Sequence, residues 1–69
     1  MITDPHVYID SHLYPEAEYQ GNNELIVFCS DNRQILVFGV SEKTFNDLYT
    51  HPEHEVILHI LRTHQRRIC

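Results

Sequence analysis

Glycine is scarce in this chain, and so are cysteine and basic side chains. Gly21 and Gly39 are the two glycines in 69 residues, too few for a glycine-rich phosphate-binding loop. Cys29 and Cys69 cannot form the multi-bridge framework of small secreted proteins. Five Lys and Arg stand against ten Asp and Glu, a net charge of −5, which argues against sequence-blind binding of nucleic acid. This composition favours a reduced, cytoplasmic protein.

Long hydrophobic runs are also missing. The longest apolar stretches are residues 25–29 and 35–40, far short of the roughly 20 residues that a membrane helix needs. The start of the sequence, MITDPHVYID, has neither the basic nor the apolar region of a secretion signal. We therefore expect one small domain over residues 1–69. A core of this size rarely supplies more than roughly 3–5 kcal/mol, which favours stabilisation by self-association as a homodimer.

Two apolar, β-branched and aromatic runs predict a β-hairpin in the middle of the chain. They cover residues 24–29 and 34–40. The Asp31-Asn32 pair between them tolerates the left-handed conformation of a two-residue turn. With that turn, Phe28 is expected to face Ile35. Both faces of this hairpin are apolar, so each face is expected to be covered.

An alternating segment before the hairpin predicts one further strand. Residues 6–10 place Val7 and Ile9 on the same side. Residues 14–23 contain proline, glycine and two asparagines, a composition typical of a loop. Together the strand and the hairpin predict a three-stranded antiparallel sheet.

The last third of the chain predicts one or two helices. Ser41 is a suitable N-cap for a helix over about residues 42–50. The sequence His51-Pro52 interrupts this helix, and the spacing from Thr50 to Glu53 fits a capping box for a second helix over about residues 52–66. The fold class is thus α+β: a three-stranded antiparallel sheet followed by one or two C-terminal helices, homodimeric.

The second helix has more apolar surface than one contact with a sheet requires. Its apolar side chains sweep an arc of roughly 200°. A core helix in a crowded fold and a helix shared between the sheet and a twin copy both fit this arc. The pairing interpretation divides four residues between the core and the dimer interface: Val56, Ile57, Ile60 and Leu61.

Tyrosines and carboxylates alternate in the N-terminal third, where Lys and Arg are missing from residues 1–32. Tyrosine is enriched at binding hot spots, and carboxylates steer toward a basic partner; a solvated acidic loop is the alternative. We predict a partner surface for a basic protein, such as the DNA-contacting face of a transcription factor. Its candidate residues are Tyr14, Glu16, Glu18 and Tyr19, with the helical stripe of His59, Arg62 and Arg66.

No pattern of catalytic or metal-ligating residues emerges. His54 and His59 are five positions apart, whereas a helical zinc motif needs four. Asp10, Ser11 and His12 are consecutive, and neighbours on a strand point to opposite faces. We therefore predict no enzyme activity, no metal and no cofactor.

One part of the chain resembles the KTSC domain, a small module found on some lysyl-tRNA synthetases. The resemblance spans residues 25–49 and implies a hairpin followed by a helix, with RNA binding as the alternative function. That alternative would use Arg62, Arg66 and Arg67. The spacing behind it comprises Leu25, Val27, Cys29, Ile35, Val37, Val40, Phe45 and Leu48.

The whole chain also resembles small phage-encoded inhibitors of host proteins, and most of all a quorum-sensing anti-activator. Two stretches carry this likeness, ELIVFCSDNRQILVFGV and HPEHEVILHILRTHQRRIC. It implies a dimer in the host cytoplasm that occludes a LuxR-type transcriptional activator. A pilus assembly ATPase is a possible second partner, while membrane and nucleic acid are not expected as partners.

Overall fold

A computed structural model describes residues 5–68, so Cys69 and the first four residues lie outside the described part. Within residues 5–68, five strands and two helices follow one another. They are β1 (His6–Tyr8), β2 (Glu16–Gly21), β3 (Glu24–Phe28), β4 (Gln34–Phe38), α1 (Glu42–Thr50), α2 (His54–Thr63) and β5 (Arg66–Ile68). The α+β class is confirmed, whereas the expectation of three strands is wrong.

The strands form one antiparallel sheet in the order β1-β2-β3-β4-β5. Both helices pack on the same face of this sheet, because alternate strand residues and the apolar sides of α1 and α2 share one core. That core contains Val7, Ile9, Ala17, Leu25, Val27, Ile35, Val37, Val40, Phe45, Leu48, Ile57, Ile60 and Leu61. The opposite face of the sheet is turned away from the helices.

The segment expected to be a loop over residues 14–23 is a strand over most of its length. Ala17 is buried on the core face, while the flanking glutamates point to the other face. The turn that follows uses Asn22 and Asn23, with φ values of 53° and 61°, the left-handed pair that a two-residue hairpin favours. The glycine and asparagines thus mark the end of β2 and the turn into β3 rather than a long loop.

The turn of the β3–β4 hairpin is one residue longer than expected. The backbone N–H of Cys29 donates to the carbonyl of Arg33 over 2.8 Å, which leaves a three-residue loop. Asn32 occupies the left-handed position at its end, with φ of 70°. As a result Phe28 lies opposite Gln34 instead of Ile35, so the expected register is wrong.

A shift of one residue changes which side chains share a face. Val27 and Ile35 now form a pair in the core, and Ile26 lies beside Leu36 on the opposite face. All the buried side chains of this hairpin are therefore aliphatic. Its two phenylalanines, together with Ile26 and Leu36, belong to the face away from the helices.

The first helix begins and ends where the sequence indicates. The Ser41 hydroxyl accepts a hydrogen bond from the N–H of Thr44 at 3.1 Å, which confirms the N-cap. Pro52 lies between α1 and α2, so two separate helices form. The capping box is wrong: Glu53 is the N-cap of α2 and makes no side-chain cap, while the Thr50 hydroxyl donates to the carbonyl of Asn46.

The second helix is shorter than expected, because it ends at Thr63 and the chain turns into β5. Polar groups satisfy its last carbonyls: the ring of His64 lies 2.9 Å from the carbonyl of Ile60, and the guanidinium of Arg66 donates to that of Leu61. Arg66 is thus not part of a helical stripe. In residues 5–68 neither helix is long and apolar enough to cross a membrane.

Candidate functional site

The face of the sheet away from the helices, called the open face below, has an apolar centre. Its four central side chains are half-buried even though both helices lie on the other side. They are Ile26, Phe28, Leu36 and Phe38. Tyr8 is on the same face at the β1 side, where it is 74% exposed and Glu16 lies between it and Phe28. Apolar contiguous surface of this kind marks an interaction site more often than a plain solvent face does.

Charged groups flank the apolar centre of the open face. On the β2 side His6 lies between two carboxylates, with its Nε2 3.0 Å from Oε1 of Glu16 and its Nδ1 3.7 Å from Oε2 of Glu18. On the β5 side Arg67 lies beside Leu36. The open face is therefore acidic along one side and basic along the other.

A second concave surface, called the helix groove below, lies between the two helices. Val56 is half-buried in it, while Asp47, Glu55 and His59 are exposed around it. The groove is lined by Thr44, Asp47, Glu55, Val56, His59 and Ile60. It combines an apolar floor with two carboxylates, and one residue of the predicted partner surface, His59, lies in it.

The two tyrosines of the predicted partner surface do not join its glutamates. Tyr19 lies on the core side of β2, where its ring stacks on Phe45 at 5.1 Å and its hydroxyl donates to the carbonyl of Val40 at 2.9 Å. The ring of Tyr14 stacks on that of His54 at 6.4 Å. Glu16 and Glu18 belong to the open face, so the predicted set is divided between the two faces of the sheet.

The four residues assigned to the core and the dimer interface differ in burial. Ile57, Ile60 and Leu61 are at most 5% exposed within one copy of the chain. Val56 is half-buried and is the member with appreciable surface left for a partner. Pairing through α2 stays a prediction that rests on this one residue.

The three arginines of the RNA-binding alternative are spread over the molecule. Arg62 is exposed on α2. Arg66 and Arg67 are consecutive in β5, so their side chains point to opposite faces of the sheet. Arg66 is bound to the helix end, and Arg67 belongs to the open face.

A serine–histidine contact that the sequence reasoning missed joins the loop after β1 to α2. Oγ of Ser11 lies 2.7 Å from Nδ1 of His54 and accepts a hydrogen bond from the N–H of Tyr14 at 3.1 Å. The partners are 43 positions apart, and no local pattern indicates such a contact. It fixes the loop to the start of α2. Over residues 5–68, no three His, Cys, Asp or Glu side chains are grouped closely enough to hold a metal ion.

The thiol of Cys29 is half-buried beside the β3–β4 turn. Burial raises its pKa above the ordinary value, and the nearby Asp31 carboxylate raises it further, while Arg33 acts in the opposite direction. A thiol with a raised pKa is a weak nucleophile at neutral pH. Cys29 is therefore suited to packing rather than to catalysis.

Comparisons with known proteins do not indicate a function for this chain. No protein-family model matches the chain, and the searches of curated proteins and of solved structures also find no match. The resemblances to the KTSC domain and to phage-encoded anti-activators stay predictions.

Proposed function

We propose that this chain is a non-catalytic protein-binding inhibitor that occludes a functional surface of another protein. The helix groove supports the proposal, because it places carboxylates beside a half-buried apolar floor on the exposed side of the helical layer. A groove of this kind receives the apolar face of an amphipathic helix. The carboxylates of Asp47 and Glu55 select a helix that carries basic residues.

The recognition helices of transcription factors have this chemistry, since they contact DNA phosphates through Lys and Arg. A chain that covers such a helix prevents the factor from binding DNA. A LuxR-type activator in a phage-infected host is the proposed target, and a pilus assembly ATPase is a second candidate. The net charge of −5 supports fast association with a basic target through long-range attraction.

The test uses the purified DNA-binding domain of a LuxR-type activator and a fluorescent operator duplex, with displacement of DNA followed by anisotropy. The wild-type chain is expected to displace the duplex. Replacing Asp47 and Glu55 together by lysine is expected to weaken displacement by at least about tenfold, because the complementary charges are reversed. The double substitution of Glu42 and Glu53 by lysine is the matched control, since it reverses two carboxylates in the helical layer outside the groove. Equal displacement by the groove variant and the control would contradict the proposal.

RNA binding is a second candidate, supported by aromatic rings on the open face. Tyr8, Phe28 and Phe38 present rings on an uncovered sheet beside Arg67, an arrangement that single-stranded RNA uses for base stacking. The neighbouring carboxylates of Glu16 and Glu18 on β2 repel phosphate and therefore oppose RNA binding. Affinity for RNA that falls steeply between low and physiological salt would favour the RNA candidate over the inhibitor.

A further inference from the structure

We infer that the open face is the surface on which a second copy of this chain packs, about a two-fold axis parallel to the strands. The two sheets would then lie face to face, with the helical layers on the outside. This pairing does not rest on the proposed inhibitory function, because it concerns the purified chain alone.

The distribution of apolar side chains on β3 and β4 favours this pairing. A sheet with one face in water normally alternates apolar and polar residues, whereas these two strands carry apolar residues on both faces, with Glu24 and Gln34 as the polar residues at their ends. The core already covers one face. Ile26, Phe28, Leu36 and Phe38 remain half-buried on the other, at the centre of the sheet, where a second sheet would cover them.

The edges of the sheet are less suited to pairing than its face. β5 has three residues, two of them arginines. Edge-to-edge pairing of two β5 strands about a two-fold axis would bring the arginines of both copies side by side. β1 also has three residues. Short edge strands and positively charged side chains on an edge strand disfavour the addition of another strand to the sheet.

The register of charged residues across the open face also favours this pairing. His6, Glu18, Ile26, Leu36 and Arg67 lie opposite one another in a single row across all five strands. A two-fold axis parallel to the strands and midway between β3 and β4 keeps this row in place and exchanges β2 with β5. Glu18 of one copy then lies over Arg67 of the second copy, and the reciprocal pair forms on the other side.

The same operation places the apolar pair Ile26 and Leu36 against the identical pair of the second copy. Two ion pairs would thus flank an apolar centre, which is the self-complementary pattern that a two-fold interface requires. A two-fold axis perpendicular to the strands and parallel to the sheet would instead place β2 over β2 of the second copy. Glu16 and Glu18 would then face the same two glutamates of that copy. The distribution of charge therefore selects the axis as well as the surface.

The area over which the two open faces overlap limits the expected affinity of the dimer. The four strands that overlap, β2 to β5, lie about 4.8 Å apart, and β3 and β4 have five residues at about 3.3 Å each, which gives an overlap of roughly 19 by 16 Å, or about 300 Å2. A standard interface buries about 800 Å2 per partner. We therefore expect a weak dimer, with a Kd in the micromolar range or above.

The test is a charge exchange followed by sedimentation equilibrium from about 1 μM to about 500 μM. Glu18→Arg alone and Arg67→Glu alone are each expected to weaken dimerisation by at least about tenfold, since each opposes like charges in both reciprocal pairs. The two substitutions combined are expected to restore most of the wild-type affinity. Glu53→Arg at the start of α2, outside both the open face and the helix groove, is the control and should dimerise like the wild type.

Circular dichroism of every variant separates lost pairing from lost folding, because both exchanged residues are on a solvent-accessible face. Leu36→Lys is a second probe, and it should abolish the dimer while the far-UV spectrum stays that of the wild type. A wild-type monomer throughout the concentration range would overturn the inference. A double exchange that stays as weak as the single variants would overturn it as well.

Discussion

Replacing Tyr19 by phenylalanine tests whether this residue stabilises the fold or contacts a partner. The substitution keeps the ring that stacks on Phe45 and removes the hydroxyl that donates to the carbonyl of Val40 over 2.9 Å. Val40 is completely buried, so water does not readily replace the lost donor. Leaving a buried acceptor without its hydrogen-bond donor costs about 1–3 kcal/mol.

That loss is large for a chain of this size. At roughly 0.05–0.15 kcal/mol per residue the whole domain is stable by only several kcal/mol. For a domain of 60–100 residues each kcal/mol lowers Tm by about 4–8 °C. We therefore expect Tyr19→Phe to lower Tm by at least about 4 °C, measured by circular dichroism, and to lower the urea midpoint with an unchanged m value.

Tyr8→Phe is the matched control, because Tyr8 is 74% exposed and its hydroxyl is expected to stay hydrated. Its Tm should equal that of the wild type. If Tyr19→Phe leaves stability unchanged while weakening displacement of DNA from the activator, Tyr19 contacts a partner, as the sequence suggested. The structural role argued above would then be refuted.

Two further predictions concern the first helix and the β3–β4 turn. Ser41→Ala removes the acceptor for the N–H of Thr44 and should cost about 1 kcal/mol of the free energy of unfolding in urea denaturation; an unchanged midpoint would contradict the cap. In a Cys69→Ser background, Cys29 should react with iodoacetamide at neutral pH more slowly than a free thiol, because burial and Asp31 raise its pKa. Asp31→Asn should speed this reaction by lowering the pKa, and a slower or equal rate would exclude the electrostatic contribution.

The errors of sequence reasoning in this chain have a common physical origin. Local patterns located the β3–β4 hairpin and α1 with its Ser41 cap, because alternation, helical period and capping depend on neighbours along the chain. They missed β2, whose signal is weak: Ala17 is small and glutamates flank it. They also extended the second helix past Thr63, since nothing local indicates that Arg66 pairs with Val37 in the sheet.

The candidate sites likewise divide into those that local sequence patterns indicate and those that depend on contacts between distant segments. Apolar surplus on both faces of the hairpin was evident from residues 24–40, and it led directly to the open face. The helix groove was not foreseen, because it requires the relative placement of α1 and α2. The Ser11–His54 contact was missed for the same reason, and Tyr19 was assigned to a partner although its hydroxyl is satisfied inside the protein.

The amino-acid sequence by itself determined the α+β class, the central hairpin, one or two C-terminal helices and an acidic chain with more apolar surface than one core requires. Each of these follows from composition or from contacts between near neighbours. The tertiary structure alone decided the strand register, the two additional strands and the alignment of Glu18 with Arg67 across the sheet. The register goes with a three-residue turn that has Asn32 in the left-handed conformation, and the length of that turn decides which side chains of β4 share the open face with Ile26 and Phe28.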